Sequence, residues 1–117
     1  MGNNFILVDL NDDEYITFLG YSKEFEIWLN KICSQMVSYF LFQRNGHNIV
    51  FVGDQWNVGG IFVNYEGIIN NSKDVTEEII IEMIHDELFT LEEVNQFSVT
   101  LKLTEDQLQS SSRTGTE

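Results

Sequence analysis

The stretch whose reading decides the fold is Val37–Asp54, VSYFLFQRNGHNIVFVGD. Two runs of β-branched and aromatic residues flank Asn45-Gly46. Asn-Gly between such runs is a strong hairpin signal, because both central residues of a type I′ turn take positive φ. A further run, IFVNYEG (Ile61–Gly67), follows GDQWNVGG, whose Gly53, Gly59 and Gly60 allow another turn. The middle of the chain therefore reads as a three-stranded antiparallel meander.

On the N-terminal side lies SKEFEIWLNKICSQM, Ser22–Met36. Phe25, Trp28, Leu29, Ile32 and Met36 recur at spacings of three and four, which predicts a helix with one apolar face and Ser22 as N-cap. Before it, FILVDL (Phe5–Leu10) suits a buried strand. The turn Asn11-Asp12-Asp13 then leads into EYITFLG. That segment favours a second strand and a hairpin. A helix capped by Asn11 and Glu14 and ended by Gly20 is the alternative for Glu14–Leu19.

On the C-terminal side, DVTEEIIIEMIHDELFTLEE (Asp74–Glu93) reads as the second helix. Asp74 and Glu77 fit a capping box. Ile79, Ile80, Ile81, Met83, Ile84, Leu88 and Leu91 fall on one broad face, and Glu78, Glu82 and Asp86 on the other. QFSVTLKL (Gln96–Leu103) alternates apolar and polar like a half-buried strand. The expected architecture is α+β: an antiparallel sheet of about five to six strands with two helices packed on it. Residues 1–104 form a single domain, and 105–117 a polar, mobile tail.

Composition bounds the function. The 117 residues are 43% hydrophobic, so a core can form, yet the net charge is −13, with 19 acids against six Lys and Arg. Six scattered cations are too few to neutralise a nucleic-acid backbone, so direct nucleic-acid binding is not expected. The single Cys33 forms neither an intramolecular disulfide nor a thiolate cluster. No signal-peptide pattern, myristoylation motif or apolar run of transmembrane length occurs, so a cytoplasmic protein without membrane contact is expected.

Catalytic and metal signals are sparse. Glu82 and His85, with Asp86 beside them, form a Glu-x-x-His pair as in di-iron bundles, but the second copy those sites need is missing. Cys33 paired with His47 or His85 has no local support. No enzyme activity and no cofactor are expected.

The second helix carries eight acids and no Lys or Arg. Glu78, Glu82 and Asp86 stand four apart, where each like-charge pair costs about 0.2–0.5 kcal/mol. Asp86 and Glu87 also approach the negative end of the helix. Unrelieved repulsion of this kind suits a cationic partner. Asp12 and Asp13, in a second acidic knot, and Trp56 in the glycine-rich turn, an aromatic anchor, are further partner-binding candidates. The resulting expectation is a small acidic inhibitor that occludes a basic, nucleic-acid-binding surface. An immunity protein against a nuclease-type toxin is preferred. The alternatives are a phage-type decoy of a nucleic-acid enzyme and a small metal-binding or enzymatic domain built on Glu82, His85 and Asp86.

Overall fold

A computed structural model of the chain describes residues 4–53 and 65–110. The architecture is mixed α+β. Among the described residues there are four strands and six helices, in the order β1 (Phe5–Asp9), β2 (Glu14–Ile16), α1 (Glu24–Leu29), α2 (Lys31–Gln43), β3 (Ile49–Gly53), α3 (Tyr65–Asn71), β4 (Lys73–Asp74), α4 (Thr76–His85), α5 (Leu91–Phe97) and α6 (Glu105–Ser110). The sheet runs β3-β1-β2-β4, with β1 antiparallel to both of its neighbours. The short β4 pairs parallel with β2, so the sheet is mixed. Strands are fewer, and helices more numerous, than the sequence pattern suggests.

The β1–β2 hairpin forms as expected. Asp13 takes the left-handed conformation at φ 55° that closes the turn, a region Asp visits more readily than most residues. The expected helix Asp74–Glu93 forms only in its first half: α4 ends at His85, Glu87 takes φ 66°, and a separate helix α5 starts at Leu91; α4 buries Ile79, Ile80, Ile81 and Met83 in the main core with Phe18, Met36 and Phe40. Its N-cap is Val75. Asp74 instead accepts from the Thr76 N–H at 2.9 Å and hydroxyl at 2.6 Å.

The meander does not form. Val37–Gln43 continues α2. Asn30 accepts from the N–H groups of Ile32 and Cys33 and starts this helix, and Ile32, Cys33, Met36 and Phe40 then bury at helical spacing. Tertiary burial of that face outweighs the strand propensity of its second half, because propensity is worth less than about 1 kcal/mol per residue. Gly46 has φ +93° but Asn45 does not have positive φ, so no type I′ turn exists. Gly46 lets the chain leave the helix, and the His47 N–H returns to the Arg44 carbonyl at 3.0 Å.

Four further readings are corrected. The expected helix Ser22–Met36 breaks at Asn30, which caps one helix while ending the other. As a result Phe25, Trp28 and Leu29 face outward, and Ile27 is the buried contact of α1. Of the segment Ile61–Gly67, residues 65–67 belong to α3, and 61–64 lie outside the described residues. The segment Gln96–Leu103 is not a strand. Thr90 and Glu93 form a reciprocal capping box that starts α5, and the Asn95 side chain then holds Leu103 through both its N–H and its carbonyl. The tail expected from residue 105 begins instead as α6, whose Leu108 joins the core.

Candidate functional site

The site grows from an acid placed at the end of a buried strand. In FILVD the side chains of Ile6, Leu7 and Val8 are buried, and so is that of Asp9, with no exposed surface. A buried carboxylate is tolerated only when its oxygens are satisfied. Oδ1 of Asp9 accepts from the N–H groups of Asn11 at 2.9 Å and Asp12 at 3.2 Å, which organises the hairpin turn. Oδ2 receives His47 Nδ1 at 2.7 Å and lies 3.0 Å from Arg44 Nε, the latter as an ion-pair contact rather than an aligned hydrogen bond. Both partners come from the end of α2 and the turn after it. Arg44 reaches on to Glu14 of β2 at 2.6 Å and lies over the Phe40 ring at 4.2 Å. One carboxylate thus ties the β1–β2 turn to the α2–β3 connection.

The electrostatics follow from this geometry. Burial opposes ionisation of Asp9, but the hydrogen bonds from His47 and from the Asp12 and Asn11 backbones outweigh it and hold the carboxyl below its ordinary 3.8. The bond to Asp9, aided by the charges of Asp9 and Asp12, raises His47 above its ordinary 6.5 against partial burial and the Arg44 charge. Asp9, Asp12 and His47 also bring three possible metal-ligand atoms within 4.8 Å of one another. The donor set does not fit a cation well. The Asp9 oxygen facing His47 already faces the Arg44 guanidinium, and His47 Nδ1 is itself engaged by that oxygen at 2.7 Å. The cluster is better described as an ion-pair network.

Beside this network lies a groove of about 510 Å³. Asp12 and Glu14 line it from the hairpin, Gln43, Arg44 and His47 from α2 and its turn, Lys73 from β4, and Glu78 and Glu82 from α4. Four carboxylates thus face two permanent cations across it. Two acidic segments some sixty residues apart in sequence meet here.

Each carboxylate of the expected α4 stripe has a partner inside the chain. Glu78 lies 3.2 Å from Lys73 Nζ, Glu82 accepts from Gln43 Nε2 at 2.6 Å, and Asp86 accepts from the Tyr39 hydroxyl at 2.6 Å. The repulsion read from the sequence is therefore partly relieved within the fold. Glu78, Glu82 and Asp12 line the groove; Asp86 stands beyond it, at the end of α4, and Asp13 sits next to Asp12 in the exposed turn. Trp56 lies outside the described residues. Glu82, His85 and Asp86 do not converge: Glu82 and Asp86 turn to α2, while His85 Nε2 meets the Leu108 carbonyl of α6 at 3.2 Å. Cys33 is fully buried and 3.7 Å from the Phe18 carbonyl, and burial, with Glu26 a lesser cause, pushes its thiol up to about 12. That environment suits packing rather than nucleophilic attack.

The sequence assigns no site role to Asp9, Glu14, Arg44, Lys73 or Gln43, and offers His47 only as a partner of Cys33. A signal existed for Asp9: an acid terminating an apolar strand needs a buried cation. The identity of that cation is not readable locally, because Arg44 and His47 fall in the apparent Asn-Gly hairpin. Searches against family models, curated proteins and solved structures return no match. No helix among the described residues is long and apolar enough to cross a membrane.

Proposed function

We propose that this chain is a small acidic inhibitor that docks on, and occludes, a basic protein surface that otherwise binds nucleic acid. The preferred form is an immunity protein that neutralises a nuclease-type toxin. The observation that carries the reading is the meeting of Asp12 and Glu14 with Glu78 and Glu82 around one groove, on a chain of net charge −13. Arg and Lys side chains meant for phosphate would enter the groove and exchange their solvent for charge-assisted hydrogen bonds. Gln43 and Lys73 hold Glu82 and Glu78 in place before a partner arrives, which lowers the ordering cost of binding. Acidic fields of this size also speed encounter with a basic surface.

The experiment is a pull-down with the full chain from its native host at low and high salt, followed by association kinetics with the captured protein. A basic nucleic-acid enzyme whose association slows as salt rises is expected. Combined Asp12→Asn, Glu78→Gln and Glu82→Gln should slow association by about tenfold or more while leaving the fold intact. A partner that binds the triple variant at the same rate and affinity would remove the groove from the interface.

A further inference from the structure

Arg44 stands in the wall of the acidic groove, and on charge alone a cation there works against a basic partner. Its side chain is only 14% exposed, and all three guanidinium nitrogens are engaged within the chain. Nε lies 3.0 Å from Oδ2 of Asp9 on β1, a carboxylate with no exposed surface. Nη2 donates to Glu14 Oε1 on β2 at 2.6 Å, and Nη1 donates to Gln43 Oε1 at 3.0 Å. The Phe40 ring lies 4.2 Å from the guanidinium carbon. The Gln43 amide passes the contact on, because its Nε2 donates to Glu82 Oε1 on α4 at 2.6 Å. A continuous set of polar contacts thus joins one buried acid to two groove carboxylates on different elements. Glu14 and Glu82 each give Oε1 to this network, and the Oε2 of each accepts no hydrogen bond from a described residue.

We infer that Arg44 is the positioning residue of the groove: anchored on Asp9, it sets the Glu14 carboxylate directly and the Glu82 carboxylate through Gln43, leaving the second oxygen of each for a cation of the partner. The inference rests on the reading of the groove as a docking surface for a basic protein. A planar guanidinium has donors in fixed directions, so one side chain can hold acceptors on β1, β2 and α2 together; an ammonium is a point charge and cannot. The anchor is buried, which keeps water from competing for it. The Lys73–Glu78 pair lacks that protection, with side chains 67% and 50% exposed. Asp9 and Glu14 both face the Arg44 charge, so little of its field is left to repel a cation. Fixing two long glutamate side chains in the free protein lowers the ordering cost of binding.

Charge and positioning predict opposite signs for one substitution. Arg44→Gln makes the groove more acidic, so charge alone predicts faster association and tighter binding of a basic ligand. Positioning predicts weaker binding through faster dissociation.

The probe is an amidated hexa-arginine peptide, and its association and dissociation with the full chain are followed at low salt. Arg44→Gln should weaken binding by about threefold to tenfold despite the added negative charge. Arg44→Lys keeps the charge without the fork and should not restore it. Gln43→Leu, at an exposed position and without change of charge, should weaken binding similarly at an unchanged association rate. Combined with Glu82→Gln it should weaken binding no further than Glu82→Gln alone, since Gln43 acts through Glu82. In the free protein, 15N relaxation of the Gln43 side-chain amide should show an ordered group that loosens in Arg44→Gln and Arg44→Lys. Hexa-arginine bound to Arg44→Gln as tightly as to wild type, or more tightly, overturns the inference. So does a Gln43 amide as ordered in Arg44→Lys as in wild type, or additive effects of Gln43→Leu and Glu82→Gln. If Arg44→Gln does not fold, Gln43→Leu decides, and unchanged affinity there overturns the inference. A wild-type chain that ignores the peptide instead removes the docking reading of the groove, and the Gln43 amide then decides the positioning role alone.

Discussion

The two ends of α2 teach opposite lessons. At its C-terminal end the polar side chains of Arg44 and His47 are turned inward onto a buried carboxylate. At its N-terminal end the apolar side chains Phe25, Trp28 and Leu29 of the preceding helix are turned outward. Each arrangement is costly in isolation. Asp9 is stabilised by partners supplied from within the chain. Phe25, Trp28 and Leu29 have no such cover among the described residues. Polar burial at one end is satisfied within the chain, and apolar exposure at the other is left to solvent.

The largest expected effect breaks the first half of this contrast. Asp9→Ala leaves Arg44 half-buried without its central carboxylate, and should cost about 3–5 kcal/mol in denaturant unfolding. A loss under 1 kcal/mol would mean that the network is relaxed by water and does not hold the hairpin to α2. Asn30→Ala, at the other end of the helix, removes an N-cap that serves two N–H groups and should cost about 1 kcal/mol. Gly46→Ala should cost about 1 kcal/mol or somewhat more. A Cβ there meets open space, so only the φ of +93° is at issue. At Gly20, by contrast, a Cβ would come within 2.6 Å of Val99 Cβ at φ +100°, and alanine should be worse than at Gly46.

The pH dependence sharpens the contrast without a substitution in the core. His47 has its pKa raised above 6.5, so its contribution is complete below 6.5 and is lost as pH climbs through the folded value. Asp9 has its pKa lowered below 3.8, so its contribution is present above 3.8 and fades as pH falls through the folded value. Both operate together between 3.8 and 6.5. Thermal unfolding followed from roughly pH 5 to pH 9 should show Tm declining on the alkaline side in wild type, and His47→Asn should flatten that limb. An unchanged slope in the variant would assign the limb to another group. The smallest effect is expected on the outer face of α1. Phe25→Ser or Leu29→Asn should leave monomer stability within about 0.5 kcal/mol, because these side chains touch little of their own chain.

Local signals were legible where one principle acted alone. The Asn11-Asp12-Asp13 turn between two apolar runs gave the β1–β2 hairpin, and the isoleucine-rich face of Ile79 to Met83 gave α4. The runs that misled carried two signals in conflict. Val37–Gln43 has strand composition, yet Tyr39, Phe40 and Gln43 each find a partner only as a helix: Asp86, the core and Glu82. Thr90 and Glu93, which read as the end of the second helix, cap a separate one that runs into the alternating segment at Gln96 and Phe97. At the candidate site Asp12, Glu78 and Glu82 were identified as acids, but their companions Glu14, Arg44 and Lys73 were not, because no local rule joins them.

The amino-acid sequence by itself determined the mixed α+β class, the strong negative charge, the first hairpin and the acidic face of α4, since each follows from composition or from periodicity within one element. Only the tertiary structure decided that α2 runs on to Gln43, that Asp9 is buried between Arg44 and His47, and that Phe25, Trp28 and Leu29 face solvent. The physical reason is that burial is a property of the whole packed chain. A few kcal/mol of long-range packing overrides a local preference worth tenths per residue, and no window of sequence records which distant side chain will supply the missing partner.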